Sequence, residues 1–298
     1  MMIAEEKVPV AISPCVSDYW QLLKPRVMSL VIFTGFCGLW MAPGHTHPIL
    51  EFTAILCIAL GAGAAGCLNM WYERDLDKQM VRTMNRPTAS GVIHPDSALA
   101  FGVILSILSV TLMQVAVNSI SALLLALTII FYIGIYTILL KPNTPQNIVI
   151  GGIAGALPPV IGWSAVAPLS YEPWSLFLII LFWTPAHFWA LALNHKGEYE
   201  KVGLPMMPNI AGIKKTKKLI ILYATLTVIS ALAPYALNMV GLLYLFSSMA
   251  FGIGFIYLTI KLYKSDDSKE GLRVFAYSIL YLFILFASLI IDKKEIYG

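Results

Sequence analysis

Charge is what this chain of 298 residues has least of: 12% of it is Asp, Glu, Lys or Arg, about half the share of a soluble domain. Cysteine is scarce as well. Cys15, Cys37, Cys57 and Cys67 have no metal-ligand spacing, and three of them fall in apolar runs, so they read as small core residues. The first residues include Glu5 and Glu6 and have no Arg-rich amphipathic pattern, which argues against a mitochondrial presequence. No charged–apolar–small cleavage pattern precedes the first apolar run either. A bacterial inner membrane is therefore the expected compartment, and no nucleic-acid partner is expected.

Apolar runs are what the chain has in abundance. It is 58% hydrophobic with a mean hydropathy of +0.78. Crossing a ~30 Å hydrocarbon core takes about 20 apolar residues at 1.5 Å each. Runs of that order fall at 26–43, 49–72, 97–116, 119–140, 147–169, 173–194, 218–238, 240–262 and 273–292. The expected fold is all-α, a polytopic bundle of nine transmembrane helices. A short interfacial helix over 17–24, capped by Ser17, should precede it.

Lysine and arginine give the orientation. The N-terminal segment and the loops after spans two, four, six and eight hold 18 of the 20, and the intervening loops hold none. This predicts a cytoplasmic N-terminus. Two long cytoplasmic loops, about 74–96 and 195–217, should cap a central cavity. They follow the second and sixth spans, a spacing that fits a duplicated four-helix unit. Residues 1–16 are expected to be a flexible segment and 17–298 a single transmembrane domain.

Two polar stripes interrupt this pattern. Asn69, Glu73 and Asp77 recur every four residues and share one helix face. Arg74, Lys78 and Arg82 form a second stripe roughly 100° away, and Asp75 points elsewhere. The other constellation ends span six: Trp183, His187, Asn194, Glu198 and Lys201 fall on one stripe. A charge at the centre of a span costs about 2.5–3.5 kcal/mol, so such faces are expected to border a wet cleft. Small residues from Gly61 to Gly66 should let neighbouring helices close in around the first stripe. Span five, Gly151 to Trp163 with Pro158 and Pro159 in its middle, should line a cavity, because lipid does not satisfy a broken backbone ladder.

Mg²⁺ favours oxygen ligands and is held by a few carboxylates together with substrate phosphates. Asn69, Glu73 and Asp77 on one helix, with Asn194 and Glu198 on another, offer such a set. Arg82 and Arg86 suit diphosphate oxygens. A diphosphate leaving an apolar chain, stabilised by metal and cations, implies an allylic carbocation held in a hydrocarbon pocket.

At Asn69-x-x-x-Glu73-x-x-x-Asp77, Arg82-Thr-x-Asn-Arg86-Pro87 and Asn194-x-x-x-Glu198 the chain resembles the UbiA-type intramembrane prenyltransferases. Lys24-Pro25-Arg26, Asn147 to Trp163, His187-Phe-Trp-Ala-Leu-Ala-Leu and Gly203-Leu-Pro-Met-Met-Pro208 make it most similar to the branch that acts on haem. The resemblance implies transfer of the farnesyl group of farnesyl diphosphate to a vinyl group of haem B, with addition of water. It implies Mg²⁺ at Asn69, Glu73, Asp77, Asn194 and Glu198, and catalytic roles for Asn69, Glu73, Asp77, Arg82, Arg86 and His187. Substrate contacts would come from Lys24, Arg26, Lys141, Trp183 and Lys201. A haem A synthase or terminal oxidase assembly is the implied partner beyond the lipid bilayer. Glu73 stands where Asp is commoner in the family, and Lys141-Pro142 where Lys-Arg is usual. Two other readings stay open: a prenyltransferase of this fold using an aromatic acceptor such as 4-hydroxybenzoate, and a transporter.

Overall fold

The computed structural model describes residues 14–267 and 269–294. The expected 1–16 segment therefore lies almost wholly outside the described residues.

The chain opens with α1 (Val16–Leu22), which meets α2 (Pro25–Met41) at a 57° bend. Cys15, not Ser17, precedes the first turn, and the Asp18 carboxylate accepts from the Cys15 backbone N–H at 2.9 Å. A carboxylate three residues into the helix reaches back better than the shorter serine hydroxyl. Lys24 sits at the bend with φ 55°, a left-handed conformation that side chains other than glycine seldom adopt. Pro25 then starts α2, where its missing N–H costs nothing.

Next come α3 (Pro48–Asp77), α4 (Pro95–Ala116) and α5 (Ser119–Ile130). Here α5 continues without interruption into a π-helix, π1 (Phe131–Leu140), and one further turn, α6 (Lys141–Asn143). Span five is two pieces, α7 (Asn147–Ala156) and α8 (Pro158–Ser164), broken at Leu157 as the paired prolines require. Then follow α9 (Glu172–Asn194), the short α10 (Lys196–Lys201) and α11 (Met207–Ile210), and the seventh span, α12 (Ile213–Ser230) with α13 (Ala233–Ala236). The last two spans are α14 (Leu242–Lys264) and α15 (Lys269–Ile291).

Among the described residues, eight segments are long and apolar enough to cross a membrane, and the bent α1–α2 pair brings the number to nine. The ends differ from expectation in one way that matters. α3 runs to Asp77, past the expected loop start at 74, so the whole acidic stripe stays in helical register.

Backbone contact fixes the wall around the second span. A Cβ on Gly38 would lie 2.0 Å from the Pro159 carbonyl oxygen, and one on Gly162 would lie 2.0 Å from that of Gly35. α2 and α8 therefore meet backbone to backbone, a contact only glycine permits. On the other side of the bundle α9 packs against α12 and α15, around buried Trp183, Trp189, Tyr244, Tyr281 and Phe286.

Candidate functional site

The site is built on the last three turns of α3. Asn69, Glu73 and Asp77 are 2%, 6% and 0% exposed. They share a face as their spacing requires, but the face meets other protein groups and not a wet cleft. Buried carboxylates need charge partners, and three separate elements supply them. Lys24, from the α1–α2 bend, donates to Asn69 Oδ1 at 2.5 Å. Lys141, at the end of π1, pairs with Glu73 Oε1 at 2.5 Å. Arg86, from the loop after α3, donates through Nη1 to both oxygens of Asp77, at 2.9 and 2.7 Å.

Each cation is held in place by its own neighbourhood. The aliphatic stem of Lys24 runs past Gly66, where an added Cβ would come within 3.5 Å of its Cγ and Cδ. The small residue thus gives the side chain a path along α3 to Asn69, one turn further on. The strained φ of Lys24 is consistent with such a tether. The loop from 78 to 94 is stitched back to α3: the Thr88 hydroxyl donates to the Met70 carbonyl (3.1 Å) and the Thr83 hydroxyl to that of Asp77 (3.0 Å). Arg86 is thereby folded over Asp77, while Arg82 stays exposed. Sequence spacing grouped these two arginines, and the turn between them separates them.

Lys24 also feels the charges of Glu73, Asp77, Lys141 and Arg86, so these groups form one electrostatic cluster. Three basic side chains face two carboxylates. Beneath them is an apolar cavity between α2, α3, α5, π1, α7 and α8, lined among others by Met28, Ala65, Tyr132, Gly155 and Pro158. Lys24 is the only charged side chain among its lining residues, so it belongs to both the polar cluster and the apolar chamber. Span five does line a cavity, through the break at its prolines.

The second stripe has a different setting. Trp183 donates from Nε1 to the Ser278 carbonyl at 2.8 Å. His187 stacks between Trp183 and Phe275, with ring centroids 4.1 and 4.4 Å away. Its Nδ1 lies 2.7 Å from the Ser278 hydroxyl. That hydroxyl gives its proton to the Phe275 carbonyl, so the imidazole is the donor to it. Asn194 donates to the Ala190 carbonyl at 3.2 Å and abuts Gly271. Trp183, His187 and Asn194 therefore lie along the α9–α15 seam and are not brought to Glu73 by any contact. Glu198 makes a long 3.4 Å contact with His195, and Lys201 and Arg26 are exposed.

The two polar loops nevertheless meet. Met80, from the first, packs with Ala192, Tyr199, Leu204 and Met206, with Leu76 and Phe188 alongside. The face of α9 turned toward α3 is thus the one carrying Phe188 and Ala192. Asn194 lies about 200° round the helix from Ala192. Among the described residues no three His, Cys, Asp or Glu side chains form a metal-ready group. Asn69, Glu73 and Asp77 offer oxygen donors from one face of α3.

These elements define a class: a polytopic helical membrane protein with an ionic cluster set over an apolar chamber. Residues 31–288 match the UbiA prenyltransferase family, and the chain belongs to that family. It is 52% identical over 281 residues to the protoheme IX farnesyltransferase of Parvibaculum lavamentivorans, covering 93% of this chain and 88% of that one. Two solved structures share the fold. One is of digeranylgeranylglyceryl phosphate synthase (TM-score 0.77, 21% identity, 93% and 98% of the two chains). The other is of an Archaeoglobus fulgidus UbiA homologue bound to DMAPP and Mg²⁺ (TM-score 0.66, 17% identity, 91% and 99%).

Proposed function

We propose that this chain is a haem farnesyltransferase. It transfers the farnesyl group of farnesyl diphosphate to a vinyl group of haem B, and water adds to the same vinyl group to give haem O and diphosphate. The C1–O bond of the prenyl diphosphate breaks and the electron pair leaves with diphosphate. The vinyl π-electrons attack the allylic cation, water takes up the resulting benzylic-type cation, and a proton is released. The observation that carries the chemistry is the shared position of Lys24, one end on Asn69 and its flank in the apolar cavity. A prenyl diphosphate is such a molecule, anionic at one end and hydrocarbon at the other. The acceptor is supported by the 52% identity to a protoheme IX farnesyltransferase over nearly the full chain.

The cluster supports an exchange of partners. Lys24, Lys141 and Arg86 neutralise Glu73 and Asp77 and cap Asn69 in the state described. A diphosphate would draw these cations to itself. Asn69, Glu73 and Asp77, all oxygen donors and all buried, would then hold Mg²⁺. When bound, Mg²⁺ supplies positive charge to the leaving diphosphate. The A. fulgidus homologue, on the same fold, is bound to DMAPP and Mg²⁺. The sequence adds Asn194 and Glu198 to this set; in the state described their partners are the Ala190 carbonyl and His195.

The exposed cations divide from the buried ones. Arg26, Arg82 and Lys201 are exposed and suit the propionates of haem, whereas Lys24, Lys141 and Arg86 suit diphosphate. By the distribution of Lys and Arg the site faces the cytoplasm of a bacterial cell whose inner membrane holds the bundle. A product with a hydroxyethylfarnesyl tail would pass to a haem A synthase or to a terminal oxidase. The test is to offer the purified chain farnesyl diphosphate and Mg²⁺ with either haem B or 4-hydroxybenzoate. Prenylated haem is expected, and prenylated acid alone would overturn the assignment.

A further inference from the structure

Thr137 lies in the middle of π1, 1% exposed, in a run that is otherwise apolar from Phe131 to Leu140 but for two tyrosines. Its hydroxyl donates to the Tyr132 carbonyl, five residues back, at 2.9 Å. A threonine in an α-helix reaches the carbonyl three or four residues back, whereas a carbonyl five back is what a π turn presents. With its one proton committed there, Thr137 Oγ1 has only lone pairs to offer on its other side. Asn69 Nδ2 donates to them at 3.1 Å.

This contact decides which way the Asn69 amide faces. An amide has one donor end and one acceptor end. Thr137 accepts only from the NH₂ end, so the oxygen is turned toward Lys24. Flipped, the NH₂ group would meet an ammonium that can only donate, and the metal-binding face would lose an oxygen. The π register does a second thing. Asn69 and Glu73 are one turn apart on α3, and their partners Thr137 and Lys141 follow each other in the same order. The ten-residue π segment therefore matches one polar stripe to another along two parallel helices.

We propose that Thr137 is a positioning residue, which fixes the Asn69 amide so that its oxygen faces the cation and metal side of the cluster. This rests on the reading of the site as an Mg²⁺-diphosphate centre. Partners of this kind, one step removed from a ligand, typically alter metal affinity or activity about 10–100-fold when lost.

The test uses Thr137→Val, which keeps the shape and removes the acceptor, with Thr137→Ser, which keeps the hydroxyl, in the full-length chain. Two readouts are taken: half-saturating Mg²⁺ and KM for farnesyl diphosphate with haem B as acceptor, and the rise in melting temperature on adding Mg²⁺ with inorganic diphosphate. Thr137→Val is expected to raise half-saturating Mg²⁺ about tenfold and to shrink the melting shift, and Thr137→Ser to restore both. Loss of packing alone would lower kcat and the folded fraction but leave half-saturation where it was. Unchanged half-saturation and an unchanged melting shift in Thr137→Val would overturn the proposal. Should the parent protein show the melting shift but no haem product, the acceptor assignment fails and the shift in the two variants still decides the role of Thr137. No shift in the parent protein would overturn the site and this proposal together.

Discussion

Two stripes of helical spacing lie along α3 and α9, and the bundle treats them differently. Along α3, two carboxylates and an amide draw a cation each from three distant parts of the chain. Along α9, a tryptophan, a histidine and an asparagine are satisfied by two backbone carbonyls and one serine hydroxyl. The difference follows from charge. A buried carboxylate needs a counter-charge at close range, and a neutral ring or amide needs one hydrogen bond. The α3 stripe therefore gathers an ionic cluster, while Trp183, His187 and Asn194 on α9 pack against α15.

Breaking the α3 stripe should produce the largest effects. Asp77→Asn or Glu73→Gln should reduce haem farnesylation by at least about 10²–10³-fold, on the scale of losing an electrostatic contact to a developing charge. Because both carboxylates are buried while their cations stay partly exposed, truncation to alanine should also cost about 1.5–3 kcal/mol of stability, the scale of a hydrogen bond to a charged group. Turnover by extracted-haem analysis and chemical denaturation together check this. Lys141→Met should act less severely and on a different parameter. It is expected to raise KM for farnesyl diphosphate about 10–100-fold, as loss of a hydrogen bond to a charged group would (about 1.5–3 kcal/mol). Steady-state kinetics at saturating haem reads it.

The α9 stripe sharpens the contrast from the other side. His187→Gln retains size and polarity but loses the stacking between Trp183 and Phe275. It should cost about 1 kcal/mol of stability and leave KM for farnesyl diphosphate unchanged. The Soret band of haem-loaded protein should not move. A shifted Soret band would place His187 on haem iron and return the stripe to the site. Smallest of all is Asp75→Ala. Asp75 is two residues from both Glu73 and Asp77, 69% exposed at the side chain and paired with Arg74 and Lys78. Its removal should alter stability by less than about 0.5 kcal/mol and activity not at all.

Much of this was legible beforehand. Hydropathy located every span to within a few residues, because a bilayer sets the length of an apolar run. The period of four placed Asn69, Glu73 and Asp77 on one face and set Asp75 apart from it. What stayed hidden needed a third dimension or a change of register. Lys141 is a lone cation at the end of an apolar run, and nothing in its spacing points to Glu73. Thr137 is a single polar residue in an apolar helix, and its reach to Asn69 depends on a π register that no residue pattern announces. The one available signal was that a polar side chain sat four residues before Lys141, matching the Asn69–Glu73 interval. Arg82 and Arg86 look equivalent in sequence, and only the turn pinned by Thr83 separates them. The α9 stripe held for Trp183, His187 and Asn194, whereas the helix end at His195 puts Glu198 and Lys201 on α10. Periodicity says which side chains share a face, and not which neighbour that face will meet.

Mass spectrometry of haem extracted after incubation with farnesyl diphosphate bears most directly on the cluster as a diphosphate-release centre. With the wild-type chain, haem B should gain a farnesyl group and the elements of water only when Mg²⁺ is present, and Asp77→Asn should leave it unchanged. Equal product without a divalent ion, or from Asp77→Asn, would contradict the account.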